Sequence, residues 1–551
     1  MMGAGALLSG RPSRFAIAGP RYHGGPKGRG VTNNVNTAAA GVPPGGRLSE
    51  LTEHRRRLLV VSSIGVFMAT LDSSILAVAL PSVSADLHLS FSAALWVQVS
   101  YLLVVTVLLI PVARWGEKRG MFFVYWVGNL VFAIFSLATG FAFDGTSLIA
   151  GRLCQAVGGA FVVATSAAIV AAAFPPQERG RALGLNMMGS TLGQTFGPPL
   201  GGLIVANLGW QWIFFIKVPV ALVTLVAGWD LLGAERRDLA AKAREAAAGA
   251  TAALRSGDGQ AGQAGGRNSI DYRGAGILAV LLTALFVPLI FSPVWGWASP
   301  GVITPLVCAI GIAAVFVYAE NRCADPILDL RLFRRSRVFT TSNIASLLYM
   351  AGAYGVTIFT AVFLEVVQGR SAQVTGLVLL AQPAVASLGS PIAGRLSDRF
   401  GPHGLSAAGM VVMAAGTVQL GLLNAGSSIV AVAAALATRG LGVGVFSTPN
   451  FSAIMGSVDR SQLGVASGMF TTSRFCGMGI SIAFLGAIAA SKLGPEGGRV
   501  ILLGARAGVN NAQAFAAGYR EAMFFGTGFA LVGVLVSLIR ERRPREGLAR
   551  A

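Results

Sequence analysis

Charge is scarce in this chain. Only 12% of its 551 residues are Asp, Glu, Lys or Arg, about half of the roughly 25% that a water-facing domain carries. That excludes a soluble globular protein, and with it the use of length to count soluble domains. Acids are scarcer still: 23 Asp and Glu stand against 43 Lys and Arg, a formal charge of +20. Cysteine and histidine number four each. Cys154, Cys308, Cys323 and Cys476, like His23, His54, His88 and His403, are dispersed with no paired ligand spacing. No metal centre, cofactor or histidine-based active site is expected from such a set.

Apolar runs are what the chain has in abundance. Hydrophobic residues make up 54% of it, and the mean hydropathy is +0.66. A membrane-crossing helix needs about 20 mostly apolar residues, and that ruler predicts spans near 58–80, 93–113, 121–142, 148–174, 181–208, 213–233, 274–293, 302–319, 339–365, 374–394, 405–425, 428–455, 464–490 and 522–540. The fold class expected is an all-α polytopic membrane protein of fourteen spans. Residues 274–319 contain no charged side chain and hold Trp295 and Trp297 at a central turn. They read as two spans joined at the interface, where tryptophan collects.

The position of the basic residues decides between nucleic acid and membrane. They cluster before the first span (Arg55, Arg56, Arg57), in alternate loops (Arg114, Lys118, Arg119; Arg179, Arg181; Arg334, Arg335, Arg337; Arg395, Arg399) and after the last span (Arg540, Arg542, Arg543). This is the positive-inside pattern, with attraction to anionic lipid. It predicts a lipid partner, no nucleic acid, a multi-pass protein of the inner (cytoplasmic) membrane and both termini in the cytoplasm. The loop 491–521 is an exception, carrying Lys492, Arg499, Arg506 and Arg520 on the predicted outer side.

The expected organisation is a disordered basic tail (1–53) without a cleavable signal, a six-helix half (54–233), a cytoplasmic linker (234–272), two extra helices (273–320), a second six-helix half (321–540) and a tail (541–551). Met1-Met2 leaves the true start open. The halves echo each other. Glu117 and Asp398, Gly120 and Gly401, and Glu178 and Asp459 recur at one offset of 281 residues, and Arg152 recurs as Arg439. Parallel repeats of this kind build alternating-access transporters.

Asp72 sits deep in the first span. An intramembrane charge costs about 2.5–3.5 kcal/mol on insertion scales and faces a cavity or a partner. A carboxylate there can take and release a proton; the alternative is a packing Asp hydrogen-bonded to a neighbouring helix. Arg152 lies in the fourth span, and its guanidinium does not shed its charge. It can help a nearby carboxylate release a proton, or simply tie up backbone carbonyls. Gly189, Gly193, Gly197 and Gly201 recur every four residues, forming a flat stripe for close helix approach, and Pro198 lets that helix bend.

These residues carry a resemblance. Over about 50–540 the chain resembles the fourteen-span drug:proton antiporter branch of the major facilitator superfamily. The loop signature is intact at Gly394, Arg395, Leu396, Ser397, Asp398, Arg399, Phe400 and Gly401, and degraded at Ala113 to Gly120. The first span matches at Leu71, Asp72, Ile75, Ala79, Leu80 and Pro81, and Arg152, Gln155, Gly158 and Gly159 match the span 4 motif except at Ala156. Gly184, Gly193, Gly197, Pro198, Gly201 and Gly202 fit the antiporter signature of span 5. Lys217 stands where the family has Asn.

The resemblance implies proton coupling through Asp72 and Arg152; Glu365, where the family often shows Gln, is a second candidate carboxylate or one that reaches headgroup water. It implies conformational latching by Asp398 and, less tightly, by Glu117. Trp96, Tyr101 and Tyr354 are candidates for lining a substrate pocket. The implied activity is proton-driven export of hydrophobic small molecules or drugs. A dedicated exporter of a metabolite, siderophore or antibiotic is the alternative, and a polytopic membrane enzyme a more distant one. Substrate identity, proton stoichiometry and a periplasmic adaptor are not legible.

Overall fold

A computed structural model describes residues 46–237, 244, 272–323, 330–458, 463–493 and 508–539. Fourteen helical segments run back and forth through it. They are α1 (Gly46–Asp86), α2 (Phe91–Arg119), α3 (Met121–Gly140), α4 (Gly145–Ala173), α5 (Pro176–Leu208) and α6, a bent pair (Trp212–Ala227 and Trp229–Arg237). Next come α7 (Tyr272–Trp295), α8 (Pro300–Arg322), α9 (Arg337–Val362, extended by a π-helical turn at Phe363–Val367) and α10 (Ala372–Leu379 and Ala381–Phe400). The last four are α11 (Pro402–Gly421), α12 (Ile429–Gly456), α13 (Leu463–Ile480, continued by Ser481–Leu485 and Gly486–Ala490) and α14 (Gly508–Leu538).

Twelve of these are long and apolar enough to cross a membrane, thirteen if the α6 pair, bent by 41°, is one span. The remaining helix, α5, has the length, 33 residues. It falls short in hydropathy, because its glycines, prolines, Asn186 and Gln194 dilute the apolar content. The protein is a multi-pass membrane protein. The surface agrees: Val307 is 60% exposed and Ile310 73% exposed on α8, as a lipid-facing wall requires.

Helix starts follow local chemistry. Ser90, Ser336 and Ser428 each accept an amide proton from the first turn of their helices, from Ala93, Phe339 and Ala431, all at 3.2 Å. Asp144 and Ser147 form a reciprocal capping box on α4, satisfying donors a helix leaves free. Hydrogen bonds from Ser147 hold the exposed Asp144 carboxyl below its ordinary range. Helices α2 and α10 both stop at a glycine of positive φ, Gly120 (104°) and Gly401 (83°), a region that side chains with a Cβ avoid. The two glycines stand 281 residues apart.

Several boundaries differ from expectation. Helix α1 starts at Gly46, inside the stretch to residue 53 read as tail; residues 1–45 lie outside the described residues, as does most of the linker at 234–272. Helix α6 runs on to Arg237, and α14 begins at Gly508 rather than near 522, because Ala-rich turns rotate its few polar residues to one side. That relieves the anomalous loop: Arg520 belongs to a helix, and Lys492 is paired with Glu521 at 3.0 Å. Arg499 and Arg506 fall outside the described residues. The extra pair is peripheral, with 17% of the apolar stretch of α8 buried. Its companion α7 packs on both halves, with Phe291 6.2 Å from Trp96 of α2 and Phe286 against Gly479 of α13.

Candidate functional site

Asp72 is 1% exposed at the middle of α1, and two cations meet it. Arg152 of α4 donates from Nη1 to Asp72 Oδ2 at 2.7 Å, and Lys217 of α6 donates to Oδ1. Gln155, one turn along α4, reaches Asp72 Oδ1 at 3.3 Å while accepting from Arg152 Nη1 at 2.7 Å, and is itself fixed by Ser136 at 2.7 Å. Arg152 Nε also bonds Val97 O at 3.3 Å. Its Nη2 has no hydrogen-bond acceptor among the described residues. The guanidinium instead lies 4.4 Å from the Tyr101 ring centre, and the Lys217 ammonium 4.3 Å from that of Phe214; ring faces attract cations most when water is excluded. One carboxylate thus ties three helices, and the cluster keeps a formal charge of +1.

The second half reaches this cluster. Tyr354 of α9 donates to Ser73 O at 2.9 Å, and Gln98 of α2 donates to both Tyr354 Oη (2.6 Å) and Ser73 O (3.0 Å). The corresponding place in the second half has lost its acid. Displacing Asp72 by the repeat offset of 281 gives Ala353, and displacing Tyr101 gives Gln382. Arg439, the counterpart of Arg152, is fully buried and donates to Ala353 O and to Gln382 Oε1. Amide and carbonyl oxygens stand where carboxylate and ring stand in the first half.

The glycine stripe of α5 faces α1, the helix that carries Asp72. A Cβ at Gly189 would lie 2.8 Å from Ser63 O, and one at Gly201 2.8 Å from Ile75 O; Gly193 and Gly197 meet Thr70 and Ser74 in the same way. Ser74 Oγ donates to Gly193 O at 3.0 Å across the contact. Near the C-terminal end of the stripe, Gly202 lies against Ala372 and Pro198 against Gly376 of α10. Gly184, the first signature glycine, faces open space, so close packing does not require it here.

Other predicted positions are less connected. Glu117 is exposed and 3.9 Å from Arg114 of its own helix, while Gly120 lies beside Glu235. Glu235, at the end of α6, accepts from the Phe122 and Phe123 amides at 2.8 Å each and so caps α3. Arg399 is exposed, with its guanidinium 5.5 Å from the Phe400 ring centre, and a Cβ at Gly394 would lie 3.5 Å from the Thr448 side chain. The Asp398 side chain lies outside the described set. Glu365 is in the π-helical turn, far along α9 from Asp72, and its buried Oε1 has no hydrogen-bond partner among the described residues. Trp96 packs on Phe291 of α7 rather than into the Asp72 cluster.

Sequence reasoning missed two partners. Lys217 was legible only as an embedded cation departing from the family pattern, although a lone cation within 213–229 demands a buried acid and Asp72 was available. Glu235 read as part of a solvent-facing linker helix. Between α2, α4 and α13, at the end of the bundle that carries Arg114 and Glu117, a cavity of about 250 Å³ opens.

Comparisons with known proteins agree with this architecture. The Major Facilitator Superfamily profile matches residues 62–483. The tetracenomycin C resistance and export protein of Streptomyces glaucescens is 29% identical, the alignment covering 79% of this chain and 76% of that one. The riboflavin transporter RibZ of Clostridioides difficile is 29% identical over 79% and 88%, and the multidrug resistance protein Stp of Mycobacterium tuberculosis 30% over 79% and 76%. A crystal structure of a bacterial homolog of the human lysosomal transporter Spinster, inward-facing and unoccupied, aligns with a TM-score of 0.57 at 16% identity, covering 88% of this chain and 96% of that one; at that identity it supports the fold alone. No enzyme is needed to explain the buried ions, the repeat and these relatives, and the chain is a membrane transporter belonging to the Major Facilitator Superfamily.

Proposed function

We propose that the protein is a proton-driven antiporter that exports hydrophobic small molecules across the cytoplasmic membrane by alternating access. The observation that carries this reading is Asp72, buried between Arg152 and Lys217 and one residue from the cross-half bond of Tyr354. A proton arriving on Asp72 cancels the charge on which both ion pairs rest. Arg152 and Lys217, left as two uncompensated buried cations, then have reason to part, since breaking a buried pair costs about 3–5 kcal/mol. Helix α1 would answer by shifting on the glycine face of α5, where no long side chains interlock. Return of the proton to the other compartment restores the pairs.

In this reading α5 also crosses the bilayer, giving fourteen spans, and the end bearing Arg114, Arg179 and Arg395 faces the cytoplasm with both termini. The 250 Å³ cavity then opens inward, while Pro198 and Gly202 of α5 close the outer side against α10. Reporters at Gly259 and after Arg550 are expected in the cytoplasm and one at Gly426 outside. Export of a product made by the same cell, such as an antibiotic, is the second reading, favoured by the likeness to the tetracenomycin C protein. Both predict gradient-driven accumulation of substrate in inside-out vesicles, abolished by an uncoupler. Accumulation that persists with the gradient collapsed would end the proton-coupled reading.

A further inference from the structure

Among the described residues, the second half buries positive charge with no acid to meet it. Arg439 is fully buried, with its Nε lacking a hydrogen-bond partner among the described residues. Arg474 of α13 is largely enclosed, its guanidinium 5.5 Å from the Phe470 ring centre. Among the described residues no carboxylate stands within ion-pair distance of either arginine. The contrast with Arg152, which has Asp72, Gln155 and a carbonyl, makes the deficit specific to this half.

The helix that carries Arg474 also lines the cavity. Ser467, Gly468 and Thr471 of α13 line it, and Thr471 Oγ1 bonds Ser467 O at 2.8 Å, placing the two on one face. Positions 467, 471 and 474 follow the spacing of a single helix stripe. Arg474 therefore stands about 10 Å further into the bundle than Ser467, at 1.5 Å of rise per residue. The opposite wall is small-sided, with Ala164, Ala167, Ala168 and Ala171 of α4 and Leu109 of α2, and Arg114 and Glu117 of α2 complete its lining. The volume is close to the lower end of the about 300–1,000 Å³ typical of small-molecule sites.

Resting on the transport reading above, we infer that the substrate is an amphipathic anion. Its acidic group is held by Arg474, with Arg439 behind it, and its apolar body lies against the alanine face of α4. A carboxylate, sulfonate or phenolate supplies the charge that the second half lacks, and a guanidinium recognises such planar anions through paired N–H donors. A cationic substrate would add to an interior already in positive excess.

Equilibrium binding separates this inference from the coupling reading, because it needs no gradient. The purified full chain in detergent is titrated with dansylglycine, its uncharged amide dansylglycinamide and cationic dansylcadaverine, followed by fluorescence anisotropy. The acid is expected to bind at least tenfold more tightly than the amide, and the cation most weakly. Arg474→Gln should weaken the acid about tenfold and leave the amide unchanged, with Arg474→Lys retaining part of the preference. If Arg474→Gln fails to fold, the wild-type ranking and Arg474→Lys decide. Equal binding of acid and amide, preference for the cation, an equal loss of both probes in the Gln variant, or no binding of any probe would overturn the inference. Selective acid binding by a protein that does not couple to protons would leave it standing while the coupling reading fell.

Discussion

Tyr354 Oη, on the second half, donates to the carbonyl of Ser73 on the first at 2.9 Å, one residue from Asp72. The bond places the halves' contact beside the only acid in the ion cluster, so a change at Asp72 reaches the domain interface without passing through intervening layers. Tyr354→Phe keeps the ring and removes this bond together with the one that Gln98 donates to Tyr354 Oη. At about 1 kcal/mol per hydrogen bond, the present conformation should lose roughly thirtyfold in population relative to its alternative. Inter-half distance distributions between spin labels would report the shift, and an unchanged distribution would mean that the bond is incidental.

The charge count around Asp72 makes a prediction of sign. Asp72→Asn leaves Arg152 and Lys217 facing each other, and loss of one partner from a buried pair costs about 3–5 kcal/mol. Adding Lys217→Met to that variant removes one excess cation. The double variant should therefore melt above Asp72→Asn alone, although Lys217→Met in the wild-type background should melt below the parent. Thermal unfolding of the four proteins in detergent gives the cycle, and additive effects would contradict direct pairing.

Close approach of α5 to α1 can be tested with one methyl group. Gly201→Ala places a Cβ 2.8 Å from a backbone oxygen of Ile75, and overpacking of this kind costs about 1–3 kcal/mol. Gly184→Ala meets nothing within 4 Å and should be neutral or slightly stabilising. Melting temperature and efflux should fall together in the first and in neither for the second. Equal behaviour of the two would remove the packing argument.

Glu235 should prove structural despite lying outside the motifs. Its carboxylate accepts two amide protons at 2.8 Å each, and bonds to charged groups contribute about 1.5–3 kcal/mol. Glu235→Ala should lower the melting temperature, while Arg236→Ala on the same turn should do so less. A stronger effect at Arg236 would show that the cap carries little.

Much of this was legible in the chain. Hydropathy located the helices, twelve or thirteen of which are long and apolar enough to cross a membrane, and the 281-residue offset paired Gly120 with Gly401, because insertion into lipid imposes composition and duplication imposes spacing. Asp72 and Arg152 stood out because charge in hydrocarbon is rare. Partner choice was not legible. The stripe of Gly189, Gly193, Gly197 and Gly201 announces close contact with some helix, but α1 became that helix only through tertiary packing. Lys217 showed its charge and concealed its partner, 145 residues away in sequence. Trp96 showed itself as an aromatic for a pocket, and its neighbour Phe291 on the extra helix α7 was not legible. Glu235 was hidden because a capping carboxylate at a helix end looks the same in sequence as a solvated one.

The central claim, that Asp72 converts a proton gradient into transport, is tested most directly by gradient-driven uptake in inside-out vesicles carrying matched amounts of wild-type protein, Asp72→Glu and Asp72→Asn, with the Asp72→Asn/Lys217→Met protein as a control for stability. The account predicts that both Asn proteins exchange substrate down its gradient yet do not concentrate it when protons are supplied, and that Asp72→Glu keeps part of the activity. An Asn protein that still concentrates substrate against its gradient would make Asp72 a packing residue and move the search for coupling to Glu365.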